Sequence, residues 1–239
     1  MNREEYIREA FLTLELLLTD NQIEKLCKYH ELLMEWNKKI NLTAITEFEE
    51  IVWKHFVDSV LLLKCDGYPF YLQNNVLDIG TGAGFPGIIL AIVREEDSFI
   101  LIDSLYKRID FLQIVIRELD LHNVRIFHGR AEDFGKKPEF RNQFDFVVSR
   151  ALAELPLLIE YCVPFVKQNG YFISYKGPKY RDEILLSKHA MDELSCQLDE
   201  IKQFQIREDK RYLLWIKNNS ITNSKYPRRA GIPKKKPLI

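Results

Sequence analysis

The sequence predicts an α/β fold: a seven-stranded, mostly parallel sheet with helices on both faces, preceded by a helical cap and followed by an extended basic tail. Three observations lead there. From residue 76 onward, short apolar runs alternate with amphipathic stretches, the order that a parallel sheet with crossover helices requires. The first apolar run, Val76-Leu77-Asp78-Ile79, passes directly into the glycine-dense turn Gly80-Thr81-Gly82-Ala83-Gly84-Phe85-Pro86-Gly87. The residues before it read as helical, and those after 218 are rich in Pro, Lys and Arg.

Taken in order, Thr19-Asp20-Asn21-Gln22 and Thr46-Glu47-Phe48-Glu49 fit the capping-box pattern, in which a threonine hydroxyl and an acid or amide three residues on satisfy the free N–H groups of a helix start. Between them one long helix is expected, because Ile23, Leu26, Cys27, Leu33, Met34 and Ile40 recur largely at three- and four-residue spacing. Strands are expected at 76–79, 99–102, 124–127, 144–148 and 171–175, alternating with helices at 87–94, 105–119, 155–167 and 181–195. Stretches at 198–206 and 212–217 are separated by a short polar turn and can pair antiparallel at a sheet edge. Pro227, Gly231, Pro233 and Pro237 argue against a regular helix at the end and for an extended tail. The expected division is a cap at 1–65, a cofactor-binding domain at 66–218 and a basic tail at 219–239.

A chain of 239 residues, 46% of them hydrophobic, is long enough to bury one large core. It has no apolar run of membrane-spanning length, and its N-terminus is too acidic for a secretory signal, so a cytoplasmic, monomeric protein is expected. Cys27, Cys65, Cys162 and Cys196 are scattered singly with no C-x-x-C spacing, which predicts reduced thiols and no metal. Net charge is −1, yet residues 218–239 carry Lys225, Arg228, Arg229, Lys234, Lys235 and Lys236 with no acid, leaving −7 on the remainder. Basic charge gathered at one end of an acidic body implies a polyanionic partner.

The glycine turn is a nucleotide-type cofactor site. Gly80, Gly82 and Gly84 accept positive φ and allow backbone to approach a ligand closely, and Pro86 is suited to a helix start. Gly82-Ala83-Gly84-Phe85-Pro86-Gly87 also satisfies the dinucleotide G-x-G-x-x-G fingerprint, with Asp103 about twenty residues on, so a dinucleotide-dependent oxidoreductase is one alternative. Asp78 favours another cofactor. A carboxylate at the strand end repels a pyrophosphate but attracts the ammonium and sulfonium of S-adenosylmethionine.

Ligands of open α/β sheets lie beyond the carboxyl ends of the strands, where strand order reverses. Asp103 is placed there to accept from both ribose hydroxyls, Glu132 to take the adenine amino group beside the Ala131 backbone, and Arg150 to clamp the methionine carboxylate or the substrate's phosphate or base. In the cap, Trp36-Asn37-Lys38-Lys39-Ile40-Asn41-Leu42-Thr43 precedes His55 and Asp58, which share a helix face. Asn41, His55 and Arg150 are the candidates for positioning the acceptor, and no catalytic base is identified. Lys225, Tyr226, Arg228, Arg229, Lys234, Lys235 and Lys236 are the RNA-binding candidates, since cations displace counterions and an aromatic beside Arg stacks on bases. On this basis, replacing the three consecutive lysines with Ala is expected to weaken RNA binding and leave cofactor affinity intact.

Six segments occur in sequence: WNKKINLTAI (36–45), HFVDS (55–59), VLDIGTGAGFPG (76–87), RAEDF (130–134), SRA (149–151) and YPRRAGIPKKKPL (226–238). Together they resemble the bacterial small-subunit rRNA guanine-N7 methyltransferase family, also called the glucose-inhibited division protein B family, across nearly the whole chain. The glycine-turn motif is shared by many methyltransferases, whereas the cap motif and the tail are specific to this family. The resemblance implies a class I, Rossmann-like S-adenosylmethionine-dependent methyltransferase that modifies nitrogen 7 of guanine 527 in the 530 loop of 16S rRNA, with 16S rRNA or the small ribosomal subunit as partner. It implies cofactor contacts at Gly80, Phe85, Ala131, Glu132 and Arg150, with Phe85 beside the methionine moiety. Asp78 and Asp103 are added on the physical argument above. A non-catalytic RNA-binding or ribosome-assembly module is the remaining alternative.

Overall fold

A computed structural model describes residues 2–239. The sheet has seven strands in the order β3-β2-β1-β4-β5-β7-β6. These are β1 Asn75–Ile79, β2 Ser98–Asp103, β3 Val124–His128, β4 Phe144–Arg150, β5 Val166–Lys176, β6 Cys196–Ile206 and β7 Asp209–Asn218. The first five are parallel, and β7 inserts antiparallel between β5 and β6. Strand order reverses between β1 and β4, so the ends of β1, β2, β3 and β4 converge as expected for a ligand crevice.

The cap comprises α1 Arg3–Leu12, α2 Asp20–Ile40 and α3 Phe48–Ile51, which runs on as a turn of π-helix at Val52–Val57. The capping box at Thr19 forms as expected: its hydroxyl accepts from Gln22 N–H while the Gln22 side chain reaches back to the Thr19 N–H. The box at Thr46 does not form, and α3 starts after Glu47 with no side-chain cap. The turn before it is closed instead by Asn37, whose side-chain amide accepts from Thr43 N–H at 2.8 Å and donates to Thr43 O at 2.9 Å.

Cap and sheet share one apolar cluster. Tyr29 of α2 stacks on Phe56 with ring centroids 5.8 Å apart and lies 5.5 Å from Phe85 in the glycine turn. Its buried hydroxyl donates to Ala83 O, so the cap helix directly grips the turn. The opposite face of the sheet is covered by α7 Leu155–Cys162, α8 Tyr180–Leu186 and α9 Lys188–Glu193 around a second cluster. The helix expected at 155–167 ends at Cys162 because Pro164 has no N–H to donate, and β5 begins five residues before the expected strand. The helix expected at 181–195 breaks at Ser187, whose hydroxyl back-bonds to Glu183 O at 2.7 Å.

The C-terminal segment is not an extended tail. It folds back onto α7, and α10 Ile232–Lys235 forms one helical turn with Pro233 inside its first turn. The Arg141 guanidinium donates to Thr222 O, Asn223 O, Tyr226 O and Gly135 O at 2.6–2.9 Å. The Arg228 guanidinium makes a two-pronged ion pair with Glu160 at 2.9 and 2.6 Å, and that carboxylate is 1% exposed. Local composition predicted extension, but two buried polar anchors and the apolar Tyr226 and Leu238 side chains override it. No helix of the described residues is long and apolar enough to cross a membrane.

Candidate active site

The glycine turn is built from inside by Asp78, which is 1% exposed. Its Oδ2 accepts from the Thr81 hydroxyl at 2.7 Å and from Gly87 N–H at 2.9 Å, at the mouth of α4 Gly87–Val93. Its Oδ1 has no partner. Burial pushes the Asp78 carboxyl up to about 6, against the downward pull of those two hydrogen bonds and of Arg150. The direct contact with a cofactor cation expected from sequence is therefore corrected: Asp78 does not line the cleft and instead organises the turn. The close fit explains Gly87, where a Cβ would lie 2.8 Å from Asp78 Oδ2.

The other glycines divide by direction. Gly80, at φ 71°, lies at the floor of a cleft of about 330 Å³. Gly82 donates its N–H to Asp103 Oδ2 at 2.9 Å, and nothing but Gly80 O comes within 4.0 Å of where its Cβ would be, so that stretch of backbone is open to a ligand. Gly84, at φ 100°, faces inward, where a Cβ would meet Ile88 at 2.6 Å and the Tyr29 hydroxyl at 3.0 Å. Its expected role at the cofactor is corrected to packing.

The cleft is lined by Gly80, Asp103, Ser104, Ala131, Glu132 and Tyr161, among others. Asp103 at the end of β2 has Oδ1 accepting from Leu105 N–H at 2.9 Å and Oδ2 accepting from Gly82 N–H and from Arg108 at 3.2 Å. A carboxylate offers about four acceptor sites, so one remains for a ribose hydroxyl and another opens if Arg108, 35% exposed, swings away. Glu132 lies in the first turn of the short helix α6 Ala131–Phe134, is 5% exposed and accepts from Gly231 N–H at 3.1 Å. Beside it, burial first and the Glu132 carboxylate second push the Tyr161 phenol up to about 12, so it stays protonated. Paired acids over a glycine floor fit an adenosine.

A second cavity, of about 660 Å³, lies across Leu152 and Ala153, which line both. Its walls include Lys54, His55, Asp58, Arg150, Lys176 and Arg211. Arg150 at the end of β4 donates to Asp58 Oδ2 at 2.5 Å and to Lys54 O at 3.2 Å, and its guanidinium sits 5.1 Å from the Phe85 ring centroid. Asp58 Oδ1 accepts from Arg211 Nε at 3.0 Å, so one buried carboxylate holds two guanidinium groups. Arg150 is thus ion-paired with Asp58, whereas Asp145, on the same strand, pairs with Lys167.

His55 stacks on Phe85 with ring centroids 4.5 Å apart and lies with Nδ1 3.2 Å from Arg150 Nη2 and Nε2 2.9 Å from Thr43 Oγ1. A guanidinium only donates, so Nδ1 accepts and the ring proton is on Nε2, donating to Thr43. Burial, reinforced by the Arg150 charge, pushes His55 down to about 3. A depressed histidine stays neutral as pH falls through its usual range near 6.5, and the stability it contributes is lost only from there toward about 3. The His55 ring resonances in an NMR titration are expected not to move between about pH 8 and 5; a midpoint near 6.5 would contradict the buried pairing. His55 therefore supports Arg150 and Phe85 and is not a free base.

Asn41 lies outside both cavities. It ends α2 in the left-handed conformation at φ 48°, caps that helix through its backbone N–H to Asn37 O, and is exposed to solvent. Among the RNA candidates, Tyr226 is 4% exposed with its hydroxyl bound to Glu193, Lys225 pairs with Glu193, and Arg228 is committed to Glu160. The Tyr226 ring is thus not available to stack on bases. Arg229, Lys234, Lys235 and Lys236 are exposed and make no ion pair among the described residues. Sequence reasoning missed Thr43, Leu152, Tyr161 and Arg211 as site residues; Thr43, Tyr161 and Arg211 reach the site only through packing of distant segments. Leu152, two residues past Arg150 at the end of a strand, was the most accessible of them.

The model of the family described as rRNA small subunit methyltransferase G matches residues 22–213. Two curated proteins named ribosomal RNA small subunit methyltransferase G are each 49% identical to the chain: one from Clostridium tetani over 92% of both chains, one from Desulforamulus reducens over 97% of both. Among solved structures, a SAM-dependent methyltransferase from Aquifex aeolicus superposes with TM-score 0.52 at 18% identity, covering 74% of this chain and 96% of its own. A fibrillarin from Aeropyrum pernix, solved with bound S-adenosyl-L-methionine, superposes with TM-score 0.51 at 14% identity, covering 66% and 72%. These two share the fold. The match to the family model and the near-half identity over almost the full length go further, and the chain belongs to the rRNA small subunit methyltransferase G family.

Proposed function

We propose that this protein transfers the methyl group of S-adenosylmethionine to nitrogen 7 of guanine 527 in the 530 loop of 16S rRNA, acting as a cytoplasmic monomer on the rRNA or the small ribosomal subunit. The observation that carries the proposal is the juxtaposition of an adenosine-sized cleft, bounded by Gly80, Asp103 and Glu132, with a larger cavity around Arg150. S-adenosylmethionine supplies an electrophilic methyl group when bound. Asp103 and Glu132 would hold its ribose and adenine, and the open backbone around Gly82 would admit its methionine end.

Guanine nitrogen 7 carries a lone pair and no proton, so its attack requires no general base. That suits a site whose histidine is neutral with both ring nitrogens engaged. The residues of the larger cavity then have a positioning task. The Phe85, His55 and Arg150 stack is a rigid wall against which a base can be held at attack distance. Nitrogen 7 lies on the major-groove edge, so the guanine must be exposed from its loop to enter.

The experiment is transfer of labelled methyl from S-adenosylmethionine to small subunits lacking the modification, with the product base mapped. Labelled 7-methylguanine in the 530 loop is expected; label at another base or none at all would overturn the proposal. RNA affinity is tested separately. The exposed Arg229, Lys235 and Lys236 replaced together by Ala are expected to reduce the slope of log affinity against log salt by about 2 for single-stranded RNA. An unchanged slope would mean these side chains do not meet phosphate.

A further inference from the structure

The C-terminal segment was expected to bind RNA and to leave the cofactor untouched, yet it reaches the adenosine cleft at two points. Gly231 N–H donates to Glu132 Oε1 at 3.1 Å, and Lys234 lines the cleft with Gly80, Asp103 and Glu132. Both points depend on a segment that is fixed upstream. Arg228 is held by the buried Glu160 carboxylate on α7, one residue from the cleft-lining Tyr161, and Arg228 also donates to Lys236 O at 2.8 Å, which closes the segment into a loop around α10.

We infer that this docked segment is a wall of the cofactor site, with Lys234 a cofactor-binding residue and Gly231 a positioning residue for Glu132. This rests on the S-adenosylmethionine reading of the cleft. The chemistry is specific to an adenosine. The ring nitrogens and ribose hydroxyls accept hydrogen bonds, and the Lys234 ammonium joins Arg130, Ser104 and Tyr161 as a donor around the acid acceptors Asp103 and Glu132. One Glu132 oxygen accepts from the Gly231 N–H, which fixes the carboxylate beside the Tyr161 phenol with acceptor capacity left for the adenine amino group. Neighbouring Lys235 and Lys236 do not line the cleft and stay exposed, so the same short turn meets the cofactor on one side and offers cations to solvent on the other.

The test is S-adenosylmethionine affinity of the full chain by calorimetry, without RNA, for wild type, Lys234→Ala, Lys235→Ala and Gly231→Ala. Lys234→Ala is expected to weaken binding about fivefold to tenfold, the worth of one hydrogen bond from a solvent-exposed side chain, while Lys235→Ala binds as wild type. Gly231→Ala puts a side chain at φ 83°, a backbone conformation that strains any residue with a Cβ even in open space, so the turn relaxes and withdraws its N–H from Glu132; weakened cofactor binding is expected, with a small fall in the unfolding midpoint of the ligand-free protein. Equal affinity for wild type, Lys234→Ala and Gly231→Ala would overturn the inference and leave the methyltransferase reading standing. A wild-type chain that does not bind S-adenosylmethionine would overturn both.

Discussion

Asp78→Ala is expected to reduce S-adenosylmethionine affinity by at least about 100-fold, which corresponds to about 2.7 kcal/mol. The loss comes through the turn and not through a missing contact with the cofactor. Removing the carboxylate leaves the Thr81 hydroxyl and Gly87 N–H without their buried acceptor, each costing about 1–3 kcal/mol, so the backbone around Gly80 and Gly82 relaxes away from its ligand-ready form. Asp78→Asn separates this from a charge effect. Its amide oxygen accepts from the same two groups, so binding is expected within about tenfold of wild type. If Asp78 acted by its charge on a cationic cofactor, Asn would be as poor as Ala. Stability gives an independent readout. Burial raises the folded carboxyl from 3.8 to about 6, so its contribution is fully present below about pH 4 and is lost as pH rises through 6. The unfolding free energy of wild type minus that of Asp78→Asn is expected to fall by about 2 kcal/mol between about pH 4 and 7. A flat difference would show that the carboxyl is not buried as described.

Asp58→Ala is expected to be the most destabilising single change at the larger cavity. One carboxylate, 3% exposed, neutralises both Arg150 and Arg211, and its loss leaves two guanidinium groups facing each other. Breaking such a buried pair costs about 3–5 kcal/mol, taken here near the lower end because Arg211 is 25% exposed and keeps Asp209. For a chain of this size the unfolding midpoint should drop by roughly 6–12 °C. Methyl transfer is expected to fall by about 100-fold or more even where the protein remains folded, because Arg150 is displaced from Phe85 and His55. A double-mutant cycle with Arg211→Met checks the cause: the second change should recover part of the lost stability by removing one unpaired charge. Unaltered stability in Asp58→Ala would sink the account.

The parallel order of the sheet, its reversal at the first strand and the antiparallel pair at one edge were legible because apolar periodicity and chain connectivity leave few alternatives. Helix ends were less legible. Pro164 and Ser187 each cut a helix that periodicity alone carried through, and Thr46 matched a cap pattern although the helix starts one residue later, after Glu47. The tail shows the limit most clearly. Proline and lysine content described a free segment, whereas the anchors that fold it, Arg141 and Glu160, come from residues some seventy to eighty positions earlier.

What the sequence by itself determined was the fold, the glycine turn, the strand-end acids Asp103 and Glu132, and the placement of Arg150 at a strand end. Those follow from local chemistry: glycine where the turn needs positive φ, and alternating apolar runs where a sheet is buried on both faces. Only the tertiary structure decided direction. Asp78 and Gly84 turn inward to build the turn, His55 loses its proton-accepting freedom to Arg150 and Thr43, and Tyr226 is spent on Glu193. The physical reason is that a side chain's role depends on what occupies its hydrogen-bonding positions, and here the occupants arrive from segments far away in the chain.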